Sequence, residues 1–279
     1  MPASKRVLFF CGQLGVMALV RFFFTWSLKY SDQQAPSGEL LFTASLVGLA
    51  LLFARLVDGG VDPVIGRLAD RWVQRGRDRR AFLLFSFAGP PLGIALSFYA
   101  TFAEAPVVRW ACLLTGMFVL FTGYSLYSIP YWSLVDDYAG HDPKERGVLS
   151  NILGAGLLMS VAVVSVVSPG MIGDHGYRAT ALGFAAVATV LMLMPYFAKP
   201  KNVPARPGAA GPASGSSSPP PASSGLTLGQ QLLAIARHRR FVAMLVLFCG
   251  SQMALSVITS AAPIIVERLR AAPIATWPR

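Results

Sequence analysis

Arg55, Asp58 and Asp62 interrupt an otherwise apolar stretch that runs from Ala54 to Gly66. The run before it, Leu40 to Phe53, has the composition of the body of a membrane helix. An ionisable side chain at membrane depth costs roughly 3 kcal/mol or more, so such groups face an aqueous pathway or a partner. Asp58 and Asp62 are four apart and share one face of a helix. Two carboxylates crowded on one face repel unless a cation or a proton lies between them. The pattern is that of a cation site. The structural alternative is that each aspartate pairs with Arg55, Arg21 or a helix end.

The elements that must hold these groups follow from composition. The chain has 279 residues, 54% of them hydrophobic and only 13% charged, against about 25% charged in a soluble domain. That predicts an all-α, polytopic membrane protein with membrane lipid as its surroundings. The formal charge of +11 is not that of a nucleic-acid binder, because the arginines lie between apolar segments with no stacking platform. Cys11, Cys112 and Cys249 sit in apolar segments and fit neither a metal motif nor a disulfide framework. His141, His175 and His238 show no ligand spacing. No catalytic triad, zinc signature, dinucleotide fingerprint or phosphate loop is present, so neither an enzyme nor a bound cofactor is expected, and no metal beyond a sodium ion at the aspartate pair.

Seven apolar segments are long enough to cross a bilayer, over 7–29, 40–66, 81–103, 107–135, 148–172, 178–198 and 241–266. The first is too long for a cleavable signal peptide and lacks a small-residue cleavage site. Sixteen basic residues fall before span one and in every second loop, for example Lys5, Arg6, Arg71, Arg77, Lys144, Arg146 and Arg240. The opposite loops hold three, Lys29, Arg109 and Arg178. By the positive-inside rule the N-terminus is cytoplasmic. Residues 1–198 then form a six-helix bundle. Residues 199–225, rich in Pro, Ser, Gly and Ala, form a disordered cytoplasmic linker. Residues 226–240 read as an amphipathic surface helix, 241–266 as the seventh span and 267–279 as a tail. That tail carries Arg268, Arg270 and Arg279 on the outer side, against the charge trend. A prematurely ended or frame-shifted chain is the expected reason. Pro90, Pro91 and Pro130 are expected to kink spans three and four.

Two motifs carry a family resemblance. Gly66-Arg67-Leu68-Ala69-Asp70-Arg71, followed by Gly76-Arg77, resembles the loop between spans two and three of the major facilitator superfamily. There it clamps the inner helix ends, which implies a gating role for Gly66, Asp70 and Arg71. The second motif runs from Tyr124 to Val135 at the end of span four, followed by Asp142-Pro143-Lys144-Glu145-Arg146. Together with Arg55, Asp58, Asp62, Pro63 and Gly66, it resembles the glycoside–pentoside–hexuronide:cation symporters of the melibiose-carrier branch. The resemblance implies the N-terminal six-helix half of a major facilitator fold plus a seventh helix, in the cell (inner) membrane.

It also implies residue roles. Asp58 and Asp62 match cation ligands, and Ser125 keeps a hydroxyl where the melibiose carrier has a threonine. Val61 stands where that carrier has an asparagine, which leaves both sodium and proton coupling open. Tyr124 and Trp132 match aromatic residues of the sugar site, although Trp132 also suits an interfacial belt. Ser128 stands at a substrate position where the melibiose carrier has an aspartate, so galactoside recognition does not follow. Arg21 in span one offers a partner for an anionic solute such as a uronide; snorkelling or pairing with an aspartate are its other readings. The expected function is cation-coupled symport of a glycoside, uronide or related solute by alternating access. A carrier of lipid-like or drug-like substrates and a non-transporting fragment or assembly partner are the alternatives. A chain with only the first half and one further helix is expected not to transport alone.

Overall fold

The computed structural model describes residues 1–33, 39–99, 104–140 and 142–198, the side chains of 55–57 excepted, and isolated helical residues between Arg239 and Ile265. The linker at 199–225, most of 226–266 and the tail at 267–279 lie outside the described residues. By its contacts the chain divides into two units, Met1–Arg206 and Pro207–Arg279. The site lies in the first.

That unit is all helical among the described residues. Helix α1 runs over Ala3–Ser31, α2 over Ala44–Gln74, α3 over Arg79–Ser86, α4 over Gly89–Ser97, α5 over Pro106–Ala139 and α6 over Pro143–Leu193, followed by a 3-10 turn at Met194–Ala198. Among the described residues five helical segments are long and apolar enough to cross a membrane.

The apolar segment expected as one span over 81–103 is two helices, α3 and α4. Proline has no N–H to donate, so the helix is interrupted ahead of Pro90 and Pro91, which occupy the first turn of α4. Spans five and six are joined. α6 holds 51 residues, about 77 Å if straight, more than twice a hydrocarbon core. It is not straight. Gly176, at φ 78°, interrupts it. A Cβ placed on Gly183 would lie 3.4 Å from the Met171 side chain, a contact that a straight helix could not make across twelve residues. The two limbs fold back on each other.

The chain therefore alternates between two ends. At one end Arg6 bonds Glu145 at 2.7 Å, and the Arg80 guanidinium donates to the Tyr196 carbonyl at 3.0 Å. At the other the Tyr30 hydroxyl donates to the Phe98 carbonyl at 3.1 Å, and Trp26 packs edge-on against Tyr177. α1 is the most buried helix. Phe22, Phe23 and Phe24 meet Phe98, Phe121 and Phe184. α4 and α5 cross at glycines: a Cβ on Gly93 would lie 2.3 Å from the Leu120 nitrogen, and one on Gly89 would lie 2.8 Å from the Gly123 Cα. Such close approach gives dispersion contact where lipid offers no hydrophobic drive.

Candidate functional site

Asp58 lies fourteen residues into α2, about 21 Å along its axis and hence deep in an apolar slab. It is buried. The Ser125 hydroxyl of α5 donates to its Oδ1 at 2.5 Å. The structure thus joins the carboxylate of span two to the hydroxyl of span four. Asp62, one turn along α2, is half-buried. Its Oδ1 is out of contact with solvent and has no hydrogen-bond partner among the described residues. At the ~6 Å spacing of neighbouring helix positions, two unit negative charges repel by about 3 kcal/mol at an effective dielectric of about 20. A cation between them removes that repulsion.

A second pair marks the direction of the two helices. The Arg79 guanidinium lies 3.3 Å from Asp70 of α2 and 3.3 Å from Asp137 of α5. Asp58 with Ser125 and Asp70 with Asp137 are both offset by 67 positions. α2 and α5 therefore run parallel and stay in step over three turns.

Tyr124 and Trp132 lie edge to face with ring centroids 6.2 Å apart. The Trp132 indole N–H donates to Gln13 Oε1 of α1 at 2.9 Å, which fixes one edge of the ring while 36% of the residue stays exposed. Ser128 lies between them on the same face of α5; it is 1% exposed and its Oγ has no hydrogen-bond partner among the described residues. Arg21 is buried in α1 and is engaged rather than free. Phe23 and Phe24 meet Phe121, so α1 runs antiparallel to α5, with Arg21 near the level of Gly123 and Tyr124. The Arg55 side chain falls outside the described residues.

Of the loop motif, Asp70 is paired with Arg79, whereas Arg71 is exposed at the end of α2. A Cβ on Gly66 would meet nothing within 4 Å, so no contact within this unit requires glycine there. Three participants escape sequence reading. In the sequence Gln13 is one polar residue in an apolar span, Arg79 one of six arginines in a basic loop, and Asp137 an acidic residue near a helix end. Only α1·α5 packing and the α2–α3 turn, where Gly76 takes φ 73°, bring them to their partners. Among the described residues no three His, Cys, Asp or Glu side chains converge on one point.

No solved structure matches the chain. Among curated proteins it is similar to the "Putative glycoside/cation symporter YagG" of Escherichia coli (strain K12), at 29% identity over 168 residues. The match covers 56% of this chain and 35% of that protein, so it spans about a third of the relative's length. The family model for the MFS/sugar transport protein matches residues 8–265. With most of its length covered by that model, and with helices of membrane-spanning length, the chain is a multi-pass membrane protein that belongs to the MFS/sugar transport family.

Proposed function

We propose that the protein takes part in cation-coupled symport of a glycoside-like solute across the cell membrane by alternating access. The observation that carries this is the buried Asp58–Ser125 pair, one turn from a second carboxylate with an unpartnered oxygen. Buried charge without a partner is unstable, and the pair remains in the apolar region because an ion or proton enters it. The Tyr124 and Trp132 rings, on the same helix as Ser125, suit the flat apolar face of a sugar ring. Their nearness links solute and ion through one rigid element. The name of the Escherichia coli relative supports the same class.

The test is cation binding by the purified chain in lipid nanodiscs, followed by titration calorimetry with sodium and by proton release. The parent chain binds one of the two ions, and Asp58→Asn weakens that binding at least tenfold. A parent chain that takes up neither ion refutes the proposal.

The solute class rests on Arg21, whose burial near the level of Tyr124 supports an anionic group such as a uronide. Binding panels of neutral glycosides, uronides and lysolipids separate this from a lipid-like substrate. Uronide binding that survives Arg21→Ala sinks the anionic reading. We place the N-terminus and the Arg79 cluster on the cytoplasmic side of the inner membrane, on the distribution of basic residues.

A further inference from the structure

The first turn of α5 holds a buried charge. Arg109 is the fourth residue of that helix. It is 2% exposed, and its Nε and Nη1 are shielded from solvent with no hydrogen-bond partner among the described residues. Taking a guanidinium out of water is costly unless an anion or other acceptors replace the water. The acids at this end of the bundle, Asp32, Glu39, Glu104 and Asp174, are exposed, and none of them bonds these nitrogens. The other two basic residues of this end lie over aromatic rings. Lys29 is 6.0 Å from the centre of the Trp26 ring, and Arg178 is 4.4 Å from that of Tyr99.

The helix itself adds to the imbalance. α5 holds 34 residues, so its N-terminus carries the partial positive charge of a long helix. Its N-cap is Ala105, which makes no side-chain cap, and its first turn carries no acid. A cation is the wrong charge for that position. Long helical side chains lean towards the N-terminus of their own helix, which carries the Arg109 guanidinium back over this turn. The buried cation and the helix end converge, and both call for an anion.

Depth and direction decide its source. Arg109 is sixteen residues from Ser125, about 24 Å along the axis. Ser125 meets Asp58 deep in the slab, and half a hydrocarbon core is about 15 Å. Arg109 therefore stands at the level of the lipid headgroups. At about 3.6 residues per turn it lies within about 20° of Gly116 and Leu120 and about 160° from Ser125. Gly116 and Leu120 are the residues that approach Ser97 and Gly93 of α4. Arg109 thus turns away from the face that holds Ser125 and towards the α4 flank, about 10 Å past the end of α4. On that flank Leu92, Leu96 and Tyr99 are exposed. Their spacing of four and then three makes an apolar stripe that ends in an aromatic ring near the interface.

We infer that Arg109 and the first turn of α5 bind the phosphate of a phospholipid, in the leaflet at the Gly176 end of the bundle, with an acyl chain along Leu92 and Leu96. A guanidinium gives a phosphate two parallel N–H bonds. No hydrogen bond among the described residues holds the two nitrogens, so a small turn of the side chain presents them to the lipid. The site lies on the opposite side of α5 from the candidate ion site and does not depend on the coupling ion.

The test uses the purified 279-residue chain in a neutral detergent. Three probes are added at equal concentration: dioctanoyl phosphatidylglycerol, dioctanoylglycerol, which has the same chains without the phosphate, and inorganic phosphate. Retention is read by native mass spectrometry and stabilisation by the melting temperature. The parent is expected to retain phosphatidylglycerol and to melt higher with it, with no response to the other two. Arg109→Gln is expected to weaken retention roughly fivefold or more. Should that variant fail to fold, Arg109→Lys keeps the charge without the planar fork and is expected to lose roughly threefold. An equal response to dioctanoylglycerol shows that acyl chains alone bind, and overturns the proposal. An equal response to inorganic phosphate makes the site one for a free anion and overturns the lipid assignment. Phosphatidylglycerol retention that is unchanged in the folded variants overturns it as well. None of these results touches the cation-coupled reading.

Discussion

The Ser125–Asp58 hydrogen bond joins the two helices of the candidate site. A bond from a hydroxyl to a charged acceptor contributes roughly 1.5–3 kcal/mol. Ser125→Ala is expected to weaken ion binding by about tenfold to a hundredfold in the calorimetric titration, less than Asp58→Asn, which removes the charge itself. Equal losses in the two variants would show that Ser125 is needed for the fold of the site and not only as an oxygen. At this scale the sequence is informative up to a limit. Asp58 and Asp62 stand out because charge is rare at membrane depth, and their spacing puts them on one face. Ser125 was reachable only through resemblance, since one serine in an apolar span carries no signal of its own. Gln13 was out of reach because its meaning depends on Trp132, 119 positions away. Spacing along a helix shows which residues share a face, not which face meets a neighbour.

Helix length and break points set how these residues are presented. The Gly93–Leu120 and Gly89–Gly123 approaches leave no room for a methyl group. Overpacking of this kind costs typically 1–3 kcal/mol. Gly93→Ala is expected to lower the melting temperature in detergent, with little change when Gly154, where a Cβ meets nothing within 4 Å, is replaced by alanine. The sequence offers Gly154 and Gly156 at the start of span five as points of close helix approach; Gly156 is one, its Cβ position lying 2.7 Å from the Gln13 side chain, whereas Gly154 is not, and Gly89, Gly93 and Gly123 serve the α4–α5 crossing. Composition shows where glycines are but not which crossing they serve. A second element-scale contact is charged. Glu145 lies in the first turn of α6, ahead of its apolar body. Burial pushes its carboxyl up, but hydrogen bonds from the Met1 ammonium and from Arg6 outweigh this and hold it below the ordinary glutamate range. A carboxylate with a depressed folded value stabilises the fold above its unfolded value, and that contribution is lost as pH falls through the folded one. Arg6→Gln is expected to narrow the difference in melting temperature between neutral and acidic pH. An unchanged difference would show that the pair contributes nothing, as many exposed pairs do.

For the molecule as a whole, the order of ends is the main consequence of the fold. The N-terminus, the α2–α3 turn at Gly76, the α5–α6 junction at Gly140 and the turn at Met194–Ala198 gather at one end, tied by Arg6 to Glu145, Arg79 to Asp70 and Asp137, and Arg80 to Tyr196. The break at Gly176 lies at the other, where Arg178 covers the Tyr99 ring at 4.4 Å and Trp26 meets Tyr177. Among the described residues of the first unit the helices pass between these two ends six times, and the fold-back at Gly176 is what makes the number even. The basic residues divide in the same way, and this supports a cytoplasmic position for the Arg79 end. Cysteine labelling tests the arrangement. In a background with Cys11, Cys112 and Cys249 replaced by serine or alanine, Asp174→Cys beside the Gly176 turn should react with an impermeant maleimide added outside intact cells. Arg77→Cys beside Gly76 should react only after the membrane is opened. Labelling of Arg77→Cys from outside with Asp174→Cys protected would invert the orientation while leaving the fold intact. Labelling of both from the same side would remove the hairpin at Gly176, and with it the even number of passes between the two ends.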